Sequence, residues 1–490
     1  MYLLMNKNKE IGQFSITEDV LGNTFTFTQH PESILPIGFQ YIENWIENRK
    51  ASKHNGYLRK LMQECGCDTA TGFIQVTHAA SINDTFWVKT DNENIKWEDV
   101  SFYRNEFNET VSKLAFEGIG LYGLKLSSTS PELSTSGSFR KCWKREYGEI
   151  YLYKRGSTGA RNAGLEPYCE YLGSELARAL TPHAIQYELV RLHGELASKC
   201  KLFTNETYGY TPIARFDFKH ASPSDMMRFY AQLGSEDQFR RMIVLDALTF
   251  NVDRHLGNHG VLVDNETQTP IRMAPIFDMN LSMLPYVSKE EFQHIGDKLQ
   301  DYAPLIGEDF TRMGQQALTP AIRADLINLK GFQFTFRGDE TFPEWRVRTL
   351  ENLVNTQIDA VLSKEKLYTK EVFVPERALQ TISEERQEPK SDERGEHLAQ
   401  KYMQTGSFLG YDIEERERHA YLLLFPKKEK GSEIAINLDT KEISVELNGQ
   451  KLSMMDIFAD HPTLSQIMDE LNNILVEPTR ENREKTDPER

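Results

Sequence analysis

The sequence predicts an α+β protein whose middle part folds into two lobes, one small and rich in strands, the other large and helical. Three observations predict this class. Residues 149–154 alternate as a strand before a helical pattern at 166–180. The apolar run Phe239 to Phe250 has the length of a buried helix, and two short strand patterns follow it. Accessory domains are expected at both ends of the chain.

The loop after the apolar run carries the strongest chemical signal. It reads Asn251-Val252-Asp253-Arg254-His255-Leu256-Gly257-Asn258. The strand pattern 261–263, the turn residues 264–270 and a return strand then lead to Asp278. Ser235 and Gln238 have the spacing of a capping box at the start of the preceding helix.

Asp253, Asn258 and Asp278 have the order and spacing that phosphoryl transfer requires. In protein kinases a catalytic Asp precedes a metal-binding Asn by five positions, and a second metal-binding Asp follows beyond a short hairpin. Carboxylate and amide oxygens hold Mg²⁺, and one carboxylate faces the acceptor hydroxyl. We therefore expect Asp253 to be catalytic and Asn258 and Asp278 to bind metal.

A zinc site is the alternative for this loop. His255 and His259 are four residues apart with Asp253 nearby, as on a zinc-binding helix. Gly257 and Gly260 disfavour a helix there. An ordinary solvated loop is the other alternative, and the surrounding pattern of helix, hairpin and Phe-Asp disfavours it.

The segments NVDRHLGNHG and MAPIFDMNLSM resemble the HipA-like serine/threonine kinases, which carry an N-x-DRH-x-x-N loop and a P-x-[FY]-D segment. The resemblance covers about residues 130–365 and is most specific between Asn251 and Asp278. It implies a bilobal protein-kinase-like fold and the use of ATP and Mg²⁺. It also implies toxicity to a host cell and a neighbouring antitoxin-like partner, which no residue pattern here shows.

A kinase needs a lysine on a strand and a helical carboxylate to hold that lysine. Lys154 ends the strand pattern. Glu170 lies on the predicted helix, on one face with Gly173, Ser174 and Ala177, small residues that would let the helix approach the sheet. Glu170 is therefore the preferred partner of Lys154 for ATP binding, with Glu166 and Glu175 as competitors.

The stretch Ser134 to Lys141 is rich in small residues and suits a phosphate-covering hairpin, although it is not a G-x-G-x-x-G loop. Gly137 and Ser138 are the ATP-binding candidates in it. The resemblance implies that phosphorylation of a loop serine can inactivate such enzymes, and Ser134, Ser136 and Ser138 are equivalent candidates. It also implies that Lys201 and Phe203 flank the adenine, at the end of two further strands expected at 183–189 and 196–203.

Composition agrees with a cytoplasmic enzyme. The net charge of −16 disfavours nucleic-acid binding by the whole surface. The five cysteines do not suggest a disulfide framework. We find neither an apolar run long enough for a membrane helix nor a signal peptide, and we expect no membrane association.

Six regions are expected along the chain. They are an N-terminal accessory domain (1–118), the small lobe (119–203), the large lobe (204–368), a charged linker (369–396), a small α+β module (397–476) and a disordered tail (477–490). Five aromatic residues of the first domain, Trp87, Trp97, Phe102, Tyr103 and Phe107, are interpreted as core that docks against the small lobe rather than as a recognition surface.

The sequence thus predicts an ATP- and Mg²⁺-dependent serine/threonine protein kinase with a protein substrate, able in principle to phosphorylate itself. Two alternatives stay open. A small-molecule or lipid phosphotransferase would share the same ATP residues and differ in its acceptor. A nucleotide-binding scaffold would bind ATP without transfer.

Overall fold

The computed structural model describes residues 1–19, 22–51, 61–63, 65–118, 130–135, 137, 139–158, 162–216, 222–307 and 309–363, together with five strands between 413 and 452. The chain divides into two compact units, Met1–Thr381 and Ile382–Arg490. None of the described helices is both long enough and apolar enough to span a membrane.

An antiparallel sheet in the order β3-β2-β1-β4 opens the first unit. Its strands are β1 (Tyr2–Asn6), β2 (Lys9–Asp19), β3 (Gly22–Gln29) and β4 (Phe86–Thr90). The helices of this part are α1 (Ile42–Glu47), α2 (Ala70–Thr77), α3 (Trp97–Val100) and α4 (Glu109–Glu117).

The predicted aromatic group of this first part lies in a hydrophobic core. Trp87, Trp97 and Phe102 are buried in one cluster with Trp143 and Ile150 of the next sheet. Tyr103 and Phe107 pack against the same cluster. These side chains join the N-terminal part to the small lobe, as the core interpretation predicts.

The small lobe is a four-stranded antiparallel sheet in the order β5-β6-β8-β7. Its strands are β5 (Lys141–Glu146), β6 (Glu149–Arg155), β7 (Tyr187–Leu192) and β8 (Glu195–Lys201), and α5 (Glu166–Leu180) packs on it. Two-residue turns with positive φ at both positions, Tyr147–Gly148 and His193–Gly194, close its hairpins. The strand predicted at 183–189 was placed too early, because 183–186 instead bonds the stretch before Asp278 through Ile185 N and Ile276 O, 2.8 Å apart.

The large lobe combines a small sheet with helices. The sheet has the order β11-β10-β9, formed by β9 (Tyr208–Pro212), β10 (Gly260–Asp264) and β11 (Pro270–Met273). Its helices are α6 (Pro223–Gln232), α7 (Glu236–Thr249), α8 (Lys289–Gln293), α9 (Ile295–Lys298), α10 (Phe310–Ala317), α11 (Pro320–Leu329) and α12 (Glu344–Leu362).

Helix α7 is the central helix of the large lobe. Its residues from Met242 to Thr249 are all buried, because it packs against α10, α6, α5 and α12. The capping box predicted at its start is wrong. Ser235 Oγ accepts a hydrogen bond from Met273 N, and Gln238 Nε2 donates to Ala274 O, so both side chains bind the end of β11 instead.

Together the two lobes confirm the predicted α+β, bilobal, protein-kinase-like class. The second unit contains a five-stranded antiparallel sheet, β12 (Ile413–Arg418), β13 (Tyr421–Pro426), β14 (Ser432–Asn437), β15 (Ile443–Leu447) and β16 (Gln450–Leu452), in sequential order. The predicted linker, the closing helix at 464–475 and the tail lie outside the described residues. The six domain boundaries stay predictions.

Candidate active site

The side chain of Lys154 joins the two lobes. Lys154 Nζ lies 2.6 Å from Glu170 Oε1 on α5 and 2.6 Å from Asp278 Oδ1 beyond β11. Ser198 Oγ on β8 donates to the other oxygen of Glu170. Burial alone would lower the pKa of Lys154, but the carboxylates of Asp278 and Glu170 raise it above its ordinary value, so the ammonium stays charged.

The two competing carboxylates are occupied elsewhere. Glu166 accepts hydrogen bonds from Ser157 N, Gly164 N and Tyr286 Oη. Glu175 accepts one from Thr335 N at 3.1 Å. Glu170 is therefore the helical carboxylate that Lys154 contacts, which is the pairing expected from the sequence.

A second lysine, Lys141, belongs to the same site, and the sequence analysis did not single it out. Lys141 on β5 is the register partner of Lys154 on β6, so both side chains project from the same face of the sheet. The low-dielectric surroundings and the neighbouring Lys154 charge lower the pKa of Lys141 to about 8, against the opposing effect of Asp278 and Glu170. A Cβ added at Gly137 would lie 2.3 Å from Lys141 Nζ, which places this ammonium directly under the small-residue loop.

That loop is described only in part. Gly137 has φ +106°, a backbone conformation that favours glycine. Ser134 is buried and donates to Pro131 O at 3.3 Å. Ser136 and Ser138 lie outside the described residues. The base of the loop is fixed by the buried carboxyl of Glu132, which accepts hydrogen bonds from Trp143 N and from Ser112 Oγ.

Asp253 and Asn258 lie on the loop that follows α7. Asn258 Nδ2 donates to Asp253 O at 2.8 Å and lies 3.5 Å from Asp253 Oδ2. Burial raises the pKa of Asp253 and the Asp278 charge raises it further, while the charges of Arg254 and Lys154 oppose this. A carboxylate with a raised pKa is a better proton acceptor, which suits a general base.

Asp278 has φ +59°, a left-handed conformation that Asp tolerates better than most residues. Burial alone would raise the pKa of Asp278, but the charge and hydrogen bond of Lys154, with Lys141 and Arg254, hold it below its ordinary value. This carboxylate is therefore ionised. Lys154 bonds Oδ1, and among the described residues no donor bonds Oδ2.

Asn258 and Asp278 fit a magnesium ion. The bond from Asn258 Nδ2 to Asp253 directs the amide nitrogen away and leaves its oxygen for a cation. Mg²⁺ retains several waters and takes only one or two protein oxygens beside substrate phosphates, so two ligands suffice. Within the described ranges no group of three His, Cys, Asp or Glu side chains converges as a metal site.

The two histidines of the zinc alternative have separate partners. His259 is buried, and its Nδ1 lies 2.9 Å from Tyr230 Oη. Burial and the Arg254 charge lower the pKa of His259 to about 3, so it is neutral. His255 is exposed and accepts a hydrogen bond from Gly257 N through Nδ1.

The structure separates the two adenine candidates. Phe203 packs against Tyr210 and Phe277, with ring centroids 5.6 Å from each, and Tyr210 Oη donates to Gly257 O at 3.0 Å. Phe203 is thus linked to the loop that carries Asp253. Lys201 instead projects into solvent, where it pairs with Glu149 at 2.7 Å. Its contact with adenine stays a prediction from resemblance.

The fold is of the predicted kinase-like class, and Lys154 contacts both Glu170 and Asp278. No family model matches the chain, and no curated protein matches it. Among solved structures, the chain is similar to the proinflammatory kinase CtkA of Helicobacter pylori, at 17% identity and a TM-score of 0.34, over 45% of this chain and 92% of that one.

It is also similar to the HipA toxin–antitoxin system of Shewanella oneidensis MR-1, solved with HipB and its operator DNA. The identity is 11% and the TM-score 0.44, over 74% of this chain and 100% of that chain. HipA is the protein whose family the two sequence motifs resemble.

Proposed function

We propose that this chain is an ATP- and Mg²⁺-dependent protein kinase that phosphorylates serine or threonine. The observation that carries the proposal is the position of Lys154, whose Nζ lies 2.6 Å from both Glu170 and Asp278. A lysine ordered by a helical carboxylate beside a metal-binding aspartate is the arrangement that holds ATP phosphates in kinases.

Each side chain of the site then has one task. Lys154, ordered by Glu170, binds the phosphates, and Lys141 adds a second positive charge beneath Gly137. Gly137 and Ser138 are proposed to cover the phosphates. Asn258 and Asp278 would hold Mg²⁺, which neutralises charge on the transferred phosphoryl group when it is bound. Asp253 orients the acceptor hydroxyl and accepts its proton. Phe203 flanks the adenine, with Lys201 at the rim.

The first experiment measures transfer of labelled phosphate from ATP with Mg²⁺, onto the protein itself and onto proteins of a cell extract. Asp253→Asn should lower transfer by about 100-fold or more, because a positioned general base contributes roughly that much, and it should leave ATP binding nearly unchanged. Asp297→Asn, the same substitution at an exposed position, is the matched control. Wild-type transfer by the Asp253→Asn variant would refute the assignment.

The same assay separates the alternatives. Label on proteins, at serine or threonine, supports the protein kinase. Label only on members of a panel of small hydroxyl compounds or lipids would favour the phosphotransferase alternative. Tight ATP binding without any transfer would favour the nucleotide-binding scaffold. If the chain does not bind ATP, all three proposals are wrong, because each assumes ATP binding.

We also propose a toxin role with an antitoxin-like protein partner. Only the resemblance of the two sequence motifs to HipA-like kinases supports this role. If it is correct, expression of the wild-type chain in bacteria should arrest growth and expression of the Asp253→Asn variant should not. Equal growth of the two strains, with both proteins present, would contradict the toxin role and leave the kinase proposal intact.

A further inference from the structure

We infer that Asp246, on the central helix α7, is a positioning residue for the proposed active site. Through Arg254 and Asn251 it fixes the loop that carries Asp253 and Asn258 against the backbone around Asp278. The inference rests on the proposed function for its catalytic meaning, but its geometric part can be tested by metal and nucleotide binding alone.

Arg254 connects the two chain segments that carry the candidate metal ligands. Its Nη1 donates to Asn258 O at 2.9 Å and to the backbone oxygen of Phe277 at 2.6 Å. Phe277 is the residue before Asp278. Its Nη2 contacts Met279 Sδ at 3.1 Å, the residue after Asp278. The guanidinium therefore contacts Asn258 itself and both neighbours of Asp278.

Asp246 holds that guanidinium with a two-point contact. Asp246 Oδ2 accepts from Arg254 Nε at 2.9 Å, and Oδ1 accepts from Nη2 at 3.1 Å. A guanidinium has five N–H donors in a rigid fork, and the five contacts described here account for all of them. Because the fork is planar, fixing one edge with Asp246 fixes the direction of the donors on the other side.

Asp246 also reaches the candidate catalytic residue. Its Oδ1 accepts from Asn251 Nδ2 at 2.8 Å, and its backbone oxygen accepts from Asn251 N at 3.1 Å. Asn251 Oδ1 in turn accepts from Asp253 N at 3.1 Å. One carboxylate thus sets both the start of the loop at Asp253 and its end at Asn258.

The burial of this pair indicates a role in specifying geometry. The Arg254 and Asp246 side chains are only 2% and 3% exposed. Removing two charges from water is costly, and a well-packed apolar pair at such a site is often at least as stable as the ion pair. A contribution to stability therefore does not account for the pair, whereas five directed hydrogen bonds among the site's own segments do.

The experiment compares Asp246→Asn and Arg254→Lys with wild type in two measurements. The first is Mn²⁺ binding in the presence of ATP, followed by electron paramagnetic resonance. The second is the Mg²⁺ dependence of phosphate transfer. Both variants should weaken Mn²⁺ binding about tenfold or more, the usual effect of losing an outer-shell partner, while ATP binding in EDTA changes less than twofold. Lys keeps the charge of Arg254 but cannot span the two carbonyls and Asp246 together.

Asn251→Ala tests the connection from Asp246 to Asp253. It removes both side-chain hydrogen bonds of Asn251, to Asp246 and to Asp253 N, and leaves the Asp246–Arg254 pair in place. We therefore expect kcat to fall about tenfold while Mn²⁺ binding stays at the wild-type value. Asp325→Asn is the matched control, because it breaks another Arg–Asp contact of α7, that of Arg241 at 2.7 Å, without reaching the loop. It should change neither measurement.

Wild-type Mn²⁺ binding by folded Arg254→Lys, or wild-type kcat in Asn251→Ala, would overturn the inference. If Asp246→Asn does not fold, these two variants still decide. A wild-type chain that binds Mn²⁺ and ATP but transfers no phosphate would remove the proposed function only, since the Arg254→Lys comparison of Mn²⁺ binding would still stand.

Discussion

Lys141 and Lys154 are neighbours on one face of the sheet, and only one of them was identified from the sequence. Lys154 ends a clear strand pattern, whereas Lys141 is one of several basic residues around β5. The type of the turn between β5 and β6 would have revealed this pairing. A two-residue turn at Tyr147–Gly148 fixes the register that sets Lys141 opposite Lys154. Turn type was not assigned from the sequence, so the pairing was not found.

Lys141 should make ATP binding depend on pH. Its pKa is lowered to about 8, so the ammonium loses its proton as the pH rises through this value, and bound phosphates favour the protonated form. The affinity for ATP should therefore fall above pH 8, by up to about tenfold per pH unit. Lys141→Arg should remove this dependence, because the guanidinium stays charged. Lys141→Met should bind weakly at every pH.

The measurement is the dissociation constant for ATP at fixed ionic strength, from about pH 7.5 to about pH 9.5. This range brackets the lowered pKa of Lys141. A wild-type affinity that is flat over this range would contradict the prediction. So would a slope that persists in Lys141→Arg, since it would then belong to another group.

Asp246 and Arg254 could not have been paired from the sequence. Asp246 lies in a nearly continuous apolar run, where a single acidic residue is easily assigned to a solvated helix face. The structure buries it because Arg254, eight residues later, folds back beneath the helix end. Long-range pairing of this kind depends on the path of the loop, and local propensity does not contain that information.

In helix α5 the sequence correctly predicted the buried face but not every element that packs against it. Its small residues were expected to let it approach the sheet. Ser174 does contact the sheet, because Tyr187 N donates to its Oγ at 3.3 Å. Gly173 instead faces the segment after Asp278, where an added Cβ would lie 2.8 Å from Met279 Cβ. The spacing identified the buried face, and tertiary structure determined which element covers it.

Gly173→Ala should therefore impair the site more than it impairs the fold. The substitution gains about 1 kcal/mol of helix propensity, and overpacking against Met279 costs about 1–3 kcal/mol. The free energy of unfolding should therefore fall by about 0–2 kcal/mol. Asp278 lies next to Met279 and should move away from Lys154. We expect kcat to fall about tenfold or more, as for other small displacements of catalytic groups.

Ala179→Gly on the exposed face of α5 is the control. Because Ala179 is the last residue but one of the helix, the substitution should lower stability by less than about 1 kcal/mol and leave kcat unchanged. Denaturant unfolding and steady-state kinetics on the same preparations provide both quantities. A Gly173→Ala variant whose kcat equals that of wild type would show that this contact does not position Asp278.

The N-terminal part contacts both lobes, although docking against the small lobe alone was expected. On the small lobe, Arg145 donates to Phe102 O at 3.0 Å. On the large lobe, Asn6 Nδ2 donates to Asn265 O at 2.7 Å. Sequence patterns predicted elements and their buried faces within each part, but contacts between parts depend on surface shape, which no periodicity encodes.

The contacts meet at the connection between the lobes, residues 202–207. Glu206 accepts hydrogen bonds from Trp97 Nε1 at 2.7 Å and from Arg104 at 2.8 and 2.9 Å. Thr204 Oγ1 donates to Ile82 O, also at 2.7 Å. The N-terminal part therefore contacts the connection from outside, and we predict that these contacts restrict the motion of one lobe against the other.

Glu206→Ala should release this restraint. It leaves the indole N–H of Trp97 and the Arg104 side chain without their carboxylate. Losing a hydrogen bond to a charged group, as Trp97 does, costs about 1.5–3 kcal/mol. Because Arg104 is 47% exposed, solvent screens its contact with Glu206, so we expect the lost Trp97 bond to make most of the difference. Backbone amides of residues 202–210 should then exchange with deuterium several-fold faster, while those of α7 stay unchanged.

Glu98→Ala is the matched control, because Glu98 bonds Asn8 at 3.1 Å and lies 3.5 Å from Arg104 entirely within the N-terminal part. It should leave exchange at 202–210 as in wild type. Faster exchange there in Glu206→Ala but not in Glu98→Ala would show that the N-terminal part restrains the lobes through this carboxylate. Equal exchange in wild type and Glu206→Ala would mean that the buried core around Trp97 and Trp143 holds the lobes without it.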